Sequence, residues 1–378
     1  MKIIINASTL SASGVTQVAS SFIEECKDYS EHEYHLFLSP MVAKQLNTET
    51  FSENFFFYFF DQVALYSLKG FSIRKRIKKL ENDIKPDVVF SVFGPSWWTP
   101  KAKHLQGYAY PHYVYPDSPL FQMISRKEKF KIALMKQIHL FFLNKNGNYF
   151  VSETENVTHR LKNLLKKTSK FYTVGNTCSL NYDLFLDHKL STKQLLPDKQ
   201  EQEFRFLSLC TYHQHKNLEI LNEVVPILNN KLPEANIKFV LTIDTENFNN
   251  KFTEEAKKNI INIGRIDTNQ CPQLYSECDA LFLPTLLECF SANYPEAMKM
   301  GKPIATSDLE FAKTVCKNAA IYFNPVNADD IAKKISILYR DHKVRENLVK
   351  YGKEQLKSFP SSAERACQYL KICKEISK

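Results

Sequence analysis

Short apolar runs recur along the chain, separated by longer segments in which charged and apolar positions alternate at helical spacing. "KIIINAS" precedes "TQVASSFIEEC", then come "YHLFLS", "FFFYFF" and the basic "SIRKRIKKLENDIKP". "DVVFSVF", "HLQGYAYP", "NYFVSE", "ENVTHRLKNLLKK" and "KFYTVGN" continue the alternation. Continuous β-rich runs with helical patterns between them predict parallel strands buried on both faces, a doubly wound α/β architecture. From Ser179 to about Glu203 the text turns polar and aperiodic ("DHKLSTKQLLPDKQEQE"), which reads as a linker. The alternation then restarts with "FRFLSLCT", "IKFVLTID", "IINIGRI", "ALFLPT", "PIATSD" and "AAIYFNP", and from Ala328 the chain is nearly all helix-forming. Two α/β domains of similar size are expected, with a cleft between the carboxyl edges of their sheets, where ligands of such folds bind.

Composition narrows the class. The 378 residues are 44% hydrophobic, with 28 Phe, 18 Tyr and only 9 Gly, which excludes a disordered or collagen-like chain. No apolar run approaches the roughly 20 residues that cross a bilayer. The opening "MKIIINASTL" is too short in its apolar part for a secretory leader, is interrupted by Asn6, and reads as a buried strand. Nine scattered cysteines without a CxxC pair suit reduced thiols in a cytoplasmic protein rather than zinc or a disulfide scaffold.

A formal charge of +9 favours anionic partners without choosing among nucleic acid, acidic lipid and phosphorylated metabolites. "SIRKRIKKLEN" and "ISRKEKFKIALMKQIHLFFLNK" interleave Lys and Arg with apolar residues at helical spacing. Each reads as a helix with a solvated basic face, or as a contact for anionic lipid. No nucleic-acid reader motif, dinucleotide GxGxxG or P-loop occurs, so nucleic acid is not an expected partner.

The chemistry concentrates in "LLECFSANYPEAMKMGKP", from Leu286. "ALFLPT" ahead of it is a buried strand, and Pro295 fits only a helix's first turn, so a helix should start near Asn293 or Tyr294. Backbone N–H groups around Ser291, Ala292 and Asn293 would then be available to an anion. Glu288 after the strand and Glu296 in the first helical turn are acceptors suited to the hydroxyls of a sugar or ribose. Spacing alone is a weak signal, since acidic residues favour helix starts anyway.

Glu288, seven intervening residues and Glu296, after "ALFLPTLL" and before "AMKMGKPIATSD", resemble the hallmark of retaining family 4 glycosyltransferases. The resemblance implies a B-type fold of two Rossmann-like domains, 1–180 on the acceptor side and 204–360 for the nucleotide sugar, with a last helix, about 361–378, returning to the first. It implies that Glu288 contacts donor-sugar hydroxyls and Glu296 the ribose. Two departures stand out. Phe290-Ser291 replaces the usual Phe-Gly, and proline directly precedes the second glutamate.

Four further matches follow from the resemblance. In "LCTYHQHKNLEIL", after a strand and opening a helix, Lys216 matches the phosphate-binding lysine, while the usual arginine is missing and His213 or His215 stands nearby. The alternative is a solvated turn. In "GYAYPHYVYPDSP", His112 matches a histidine near the reacting sugar, although a lone histidine among tyrosines is ordinarily a packed ring. In "NASTLSASGVTQVASSF", Gly14 is the one glycine of a loop that usually carries a pair, with Val15 in place of the second. In "NIGRIDTNQCPQLYSEC", Gly264 and Arg265 match the segment that meets the nucleobase, and Arg265 reads equally as a surface arginine.

The expected activity is therefore transfer of a sugar from a nucleotide-diphosphate sugar, with retained configuration, to a hydroxyl of a glycan or lipid-linked acceptor in bacterial surface polysaccharide assembly. The expected location is the cytoplasm, with possible contact to the inner membrane surface. No cofactor or obligatory metal is expected, because no DxD-like or His/Cys metal pattern is present. The rivals are a sugar-phosphate phosphorylase or hydrolase on the same fold, a non-catalytic nucleotide-sugar-binding subunit, and, last, a nucleic-acid binder.

Overall fold

The computed structural model describes all residues except 12, 62–67, 97 and 191–192. It divides into two compact units, Met1–Pro116 with Ile124–Gly175 and Pro360–Lys378, and Asp117–Met123 with Asn176–Phe359.

The first unit holds a seven-stranded sheet: β1 (Lys2–Ala7), β2 (Glu33–Leu38), β3 (Phe55–Phe59), β4 (Val88–Ser91), β5 (Lys103–Gly107), β6 (Tyr149–Ser152) and β7 (Lys170–Thr173). Their order is β3-β2-β1-β4-β5-β6-β7, and every pairing is parallel. Central strands such as β4 (VVFS) are buried throughout, as a sheet covered by helices on both faces requires. At the edge, Phe56 and Phe59 of β3 reach solvent.

One face packs Phe22, of the helix Ser13–Glu25, edge-on to Phe90 and Tyr369. Tyr369 belongs to the last helix, Ser362–Ser377, which also contributes Ala366, Leu370, Cys373 and Ile376 to this core. The helices Leu68–Ile84 and Arg126–Asn146 cover the other face. Trp98 Nε1 donates to Glu81 of the former at 2.7 Å, and Asn146 of the latter donates to the Ser96 carbonyl at 2.9 Å. Right-handed crossovers put both helices on that side.

The second unit holds β8 (Glu203–Ser208), β9 (Asn236–Leu241), β10 (Ile260–Asn262), β11 (Ala280–Leu283), β12 (Ile304–Ser307) and β13 (Ala320–Phe323). The order is β10-β9-β8-β11-β12-β13, again all parallel, with Leu207 opposite Leu281 where β8 meets β11. Each sheet thus reverses its winding once, between β1 and β4 and between β8 and β11. Loops leaving the carboxyl ends of those strands diverge and leave a crevice.

The expected linker is more ordered than its polarity suggests, although 191–192 within it lie outside the described residues. Asn181–Leu186 is helical, Leu196 is buried, and the backbone N–H groups of Leu195 and Leu196 donate to the Glu277 carboxylate. Distant partners, Glu277 together with Asp279 on Lys199 and Arg205 on the Pro197 carbonyl, thus hold a segment with no periodicity of its own.

Candidate active site

The loop after β8 forms two 3-10 turns, Gln214–Lys216 and Leu218–Ile220, ahead of the helix Leu221–Lys231. Sequence reasoning placed Lys216 by a helix start, whereas the turn ends there and Asn217 reverses the chain at φ +56°. Asparagine tolerates that left-handed conformation. Its buried amide donates to the carbonyls of Pro284 (3.3 Å) and Pro325 (2.8 Å). The neighbouring β11 loop is tied to the same turn, since Leu286 N–H and Thr285 Oγ1 both donate to the His215 carbonyl, at 2.7 and 3.1 Å.

Those ties set Lys216 Nζ against Glu288 Oε1 as a direct ion pair, with Thr285 Oγ1 at 3.5 Å from the same oxygen. Burial opposes the charge on Lys216, but the Glu288 carboxylate and the Cys210 sulfur together more than offset it, so the ammonium's pKa lies above its ordinary value. Burial pushes the Cys210 thiol up to about 11. The rings of His213 and His215 stack at 5.4 Å. Burial and then Lys216 depress the pKa of His213, so in this state the histidine is not a second cation replacing the missing arginine.

The helix Asn293–Lys299 begins where Pro295 indicated. Its internal bonds start with Tyr294 N–H to Ser291 and Glu296 N–H to Ala292, which places the backbone of Ser291, Ala292 and Asn293 at the helix mouth. Asn293 Nδ2 donates to the Leu209 carbonyl at 3.0 Å, tying this mouth to the β8 loop. Ser291 and Glu296 are buried. Tyr275 donates to Asn293 Oδ1 at 2.9 Å and lies 3.4 Å from Glu296 Oε2. Burial pushes the Glu296 carboxyl up to about 7, against the pull of Tyr182 and Tyr275. The Tyr182 hydroxyl itself is buried with no hydrogen-bond partner of normal geometry.

Gly264 follows β10 at φ +74°, a conformation that favours glycine, with open space where a side chain would be. Arg265 beside it is exposed; hydrogen bonds from Asn247 hold the Asp244 pKa down, and the Arg265 charge adds a smaller pull. The second sheet's carboxyl edge therefore gathers Lys216, Glu288, Ser291, Ala292, Asn293 and Glu296 around the β8 and β11 loops, with Gly264 and Arg265 two strands away.

His112 and Gly14 belong to the first unit. His112 sits in the short helix Pro111–Val114 after β5, half-buried, its pKa lowered by burial. The turn is clamped from both sides. Lys136 Nζ donates to the Tyr113 carbonyl at 3.3 Å, and Arg160 Nη1 to that of Val114 at 2.8 Å. Tyr110 stacks on Tyr113, whose hydroxyl meets His139 Nδ1 at 2.9 Å. Gly14 is exposed in the first turn of its helix, and an added Cβ would meet nothing within 4 Å. Local packing does not demand glycine there.

Sequence reasoning missed Thr285, Asn217, Tyr275, Tyr182 and Ser118. The "HKN" context did hold one signal, an asparagine able to turn the chain. Ser118 had none: it lies in first-domain text, yet its segment clusters with the second unit, and its hydroxyl donates to the Leu286 carbonyl at 2.7 Å. Among the described residues, no three His, Cys, Asp or Glu side chains gather as metal ligands would, and no helix is long and apolar enough to cross a membrane.

Two all-parallel doubly wound sheets match the two-Rossmann-like fold of B-type glycosyltransferases. A crystal structure of a glycosyltransferase from Rickettsia africae superposes over 100% of this chain and 98% of its own at a TM-score of 0.72, with 15% identity, a likeness of fold. Residues 194–355, which carry both loops of the site, match the family model for glycosyl transferases group 1. A Campylobacter jejuni N,N'-diacetylbacillosaminyl-diphospho-undecaprenol alpha-1,3-N-acetylgalactosaminyltransferase is 32% identical over 108 residues, 28% of each chain. The Salmonella typhimurium O-antigen chain mannosyltransferase RfbU is 23% identical over 218 residues, 56% of this chain and 54% of its own. The similarity thus spans about a quarter and about half of these two relatives.

Proposed function

We propose that this chain is a retaining glycosyltransferase. It takes a sugar from a nucleotide-diphosphate donor and places it on a hydroxyl of a glycan or lipid-linked acceptor, in bacterial surface polysaccharide assembly at the cytoplasmic face of a membrane. The observation that carries the reading is the contact of Lys216 with Glu288 where the second sheet reverses. One cation and one polyol acceptor are fixed side by side, and a helix mouth bearing Glu296 is tied to the same loop. The group 1 match over this segment and the lipid-linked and O-antigen acceptors in the relatives' names agree with it.

Breaking the anomeric C–O bond leaves negative charge on the diphosphate. An ammonium has three N–H donors. Glu288 engages one in Lys216, and the others can meet phosphate oxygens together with the backbone N–H groups of Ser291, Ala292 and Asn293. Glu288 orients the sugar hydroxyls, Glu296 accepts from the ribose, and Gly264 and Arg265 border the base. The acceptor hydroxyl attacks from the face the phosphate leaves, and the leaving phosphate takes its proton. A carboxylate committed to a lysine is a poor nucleophile, which agrees with a reaction that needs none. His112, held toward its neutral form by burial, is assigned as a hydrogen-bond donor to a sugar hydroxyl or phosphate, and Gly14 is assigned to donor binding. We assign the counter-charge to Lys216 rather than to a metal ion.

The test is thermal stability against UDP, GDP, ADP and their sugars, with Glu296→Ala in parallel. A nucleotide at about 100 times its dissociation constant adds roughly 2.7 kcal/mol. The expected result is one nucleotide that stabilises the native chain and not the variant. No shift with any of them at millimolar concentration would remove the donor-site reading.

A further inference from the structure

The helix Arg126–Asn146 presents its apolar residues on two sides. Leu143 is buried against the sheet side, Asn146 is hydrogen-bonded to Ser96, and Lys136 and His139 reach the turn that carries His112. These contacts fix the helix about its axis. On its outward side Phe130 is 71% exposed, Leu134 52% and Phe141 59%. Positions 130, 134 and 141, with Gln137 between them, fall on one stripe of a helix. Isolated exposed apolar residues are ordinary on a protein surface, whereas a stripe of large ones along three turns is not.

The rim of the stripe is cationic. Arg126, Lys127, Lys129, Lys131 and Lys145 are all exposed. The helix's one acidic residue, Glu128, is occupied in a capping box with Ser125. On the same side of the sheet the helix Leu68–Ile84 carries Phe71, 64% exposed, with the Arg74 guanidinium 5.9 Å from its ring.

We infer that this face of the Arg126–Asn146 helix is a membrane-docking surface, on which Phe130, Leu134 and Phe141 enter an anionic lipid bilayer while the surrounding lysines meet its headgroups. The inference rests on the proposed lipid-linked or membrane-bound acceptor for the reason a bilayer is near, and it adds which residues anchor the chain and how. Aromatic and leucine side chains inside a lysine rim match the acyl boundary and the negative surface of such a bilayer. A second copy of this chain would bring two like-charged rims together. The inner face of the same helix holds the His112 turn, so the helix that rests on lipid also braces the side chain assigned to the reacting sugar.

The experiment is flotation of the full chain with phosphatidylcholine vesicles, with and without phosphatidylglycerol, comparing the native chain with the combined variant Phe130→Ser, Leu134→Ser and Phe141→Ser. All three side chains are exposed, and thermal melting checks that the variant is folded. We expect the native chain to float with anionic vesicles and the variant to partition on the order of tenfold more weakly or worse. Lys127→Glu with Lys131→Glu should also weaken binding, most at low salt. The variant should keep its turnover of acceptor dispersed in detergent within about twofold while losing that of acceptor embedded in vesicles. Native chain that ignores anionic vesicles, or a triple variant that floats like it, overturns the inference. So does a native dimer that the triple variant converts to monomer without any vesicle binding. If docking behaves as expected but no form turns over detergent-dispersed acceptor, the transferase reading has failed and the docking surface stands.

Discussion

Both sheets reverse their winding at a central strand pair, yet the two reversals carry opposite chemistry. Between β8 and β11 lie an ion pair, Lys216 with Glu288, and near them the buried carboxyl of Glu296. At the carboxyl ends of β1 and β4 the structure instead holds a relay of neutral polar groups. Ser8 Oγ donates to Asn6 Oδ1 at 2.6 Å, and Asn6 Nδ2 to Ser91 Oγ at 3.0 Å. Ser91 Oγ meets His104 Nε2 at 2.9 Å, and His104 Nδ1 meets the Asn146 carbonyl at 2.8 Å. Burial holds the His104 pKa down to about 4. The relay is complete only with a neutral imidazole, donating from Nδ1 and accepting at Nε2. Shared topology fixes where a site can form, and the residues at the strand ends decide what it can hold. Charge suits a diphosphate; an uncharged relay gives the first unit a rigid floor.

The sharpest way to break this contrast is to remove the charge. Lys216→Ala should lower turnover by about 10²- to 10³-fold, the usual loss when a donor to a developing anion goes. Lys216→Arg should recover part of it, and activity should persist in EDTA. Steady-state assays decide, and a variant within a few-fold of the native rate would take the leaving-group role from this lysine.

The next effect opposes the two units by pH. Glu296 has a folded pKa of about 7 against an ordinary 4.5, so its stabilising contribution is whole below pH 4.5 and is lost as pH rises through 7. His104 runs the other way, from an ordinary 6.5 down to about 4, so its contribution is whole above pH 6.5 and is lost as pH falls through 4. Each is on the order of 3 kcal/mol. Glu296→Gln should flatten the loss of stability as pH rises from 4.5 to 7, and His104→Gln the loss as pH falls from 6.5 to 4. Denaturant melts from pH 4 to 8 would show it, and unchanged slopes in both variants would contradict the assignment.

The smallest expected effect concerns the pivot. Asn217→Gly keeps the φ +56° turn but gives up two hydrogen bonds, at a cost of about 1–3 kcal/mol. Asn217→Ala adds a strained backbone, at roughly 1–2 kcal/mol more. Equal melting of the two variants would mean that the turn relaxes freely.

Most of the scaffold was legible because buried parallel strands announce themselves as unbroken apolar runs. "DVVFSVF" and "ALFLPT" became β4 and β11, and Pro295 located the helix start at Asn293. What stayed hidden depends on contacts far apart in sequence. Nothing in "DHKLSTKQLLPDKQEQE" shows that Glu277 will hold its backbone, and nothing in "PDSPLFQM" shows that Ser118 will bond to Leu286. The elevated pKa of Glu296 is equally nonlocal: burial in the folded unit raises it, and Tyr275 and Tyr182, the latter in the supposed linker, pull it partly back. Periodicity reports which face of an element is buried, not which partner buries it.

The last helix has a consequence for the order in which the chain is made. Phe22 and Phe90 are made before residues 176–359, whereas Tyr369, Leu370 and Cys373, which share their core, are made after them. The unit begun first is therefore finished last, after nearly all of residues 176–359 have been given the chance to fold on their own. Until then the apolar side of the helix Ser13–Glu25 and strand β4 lacks the cover that the last helix gives it.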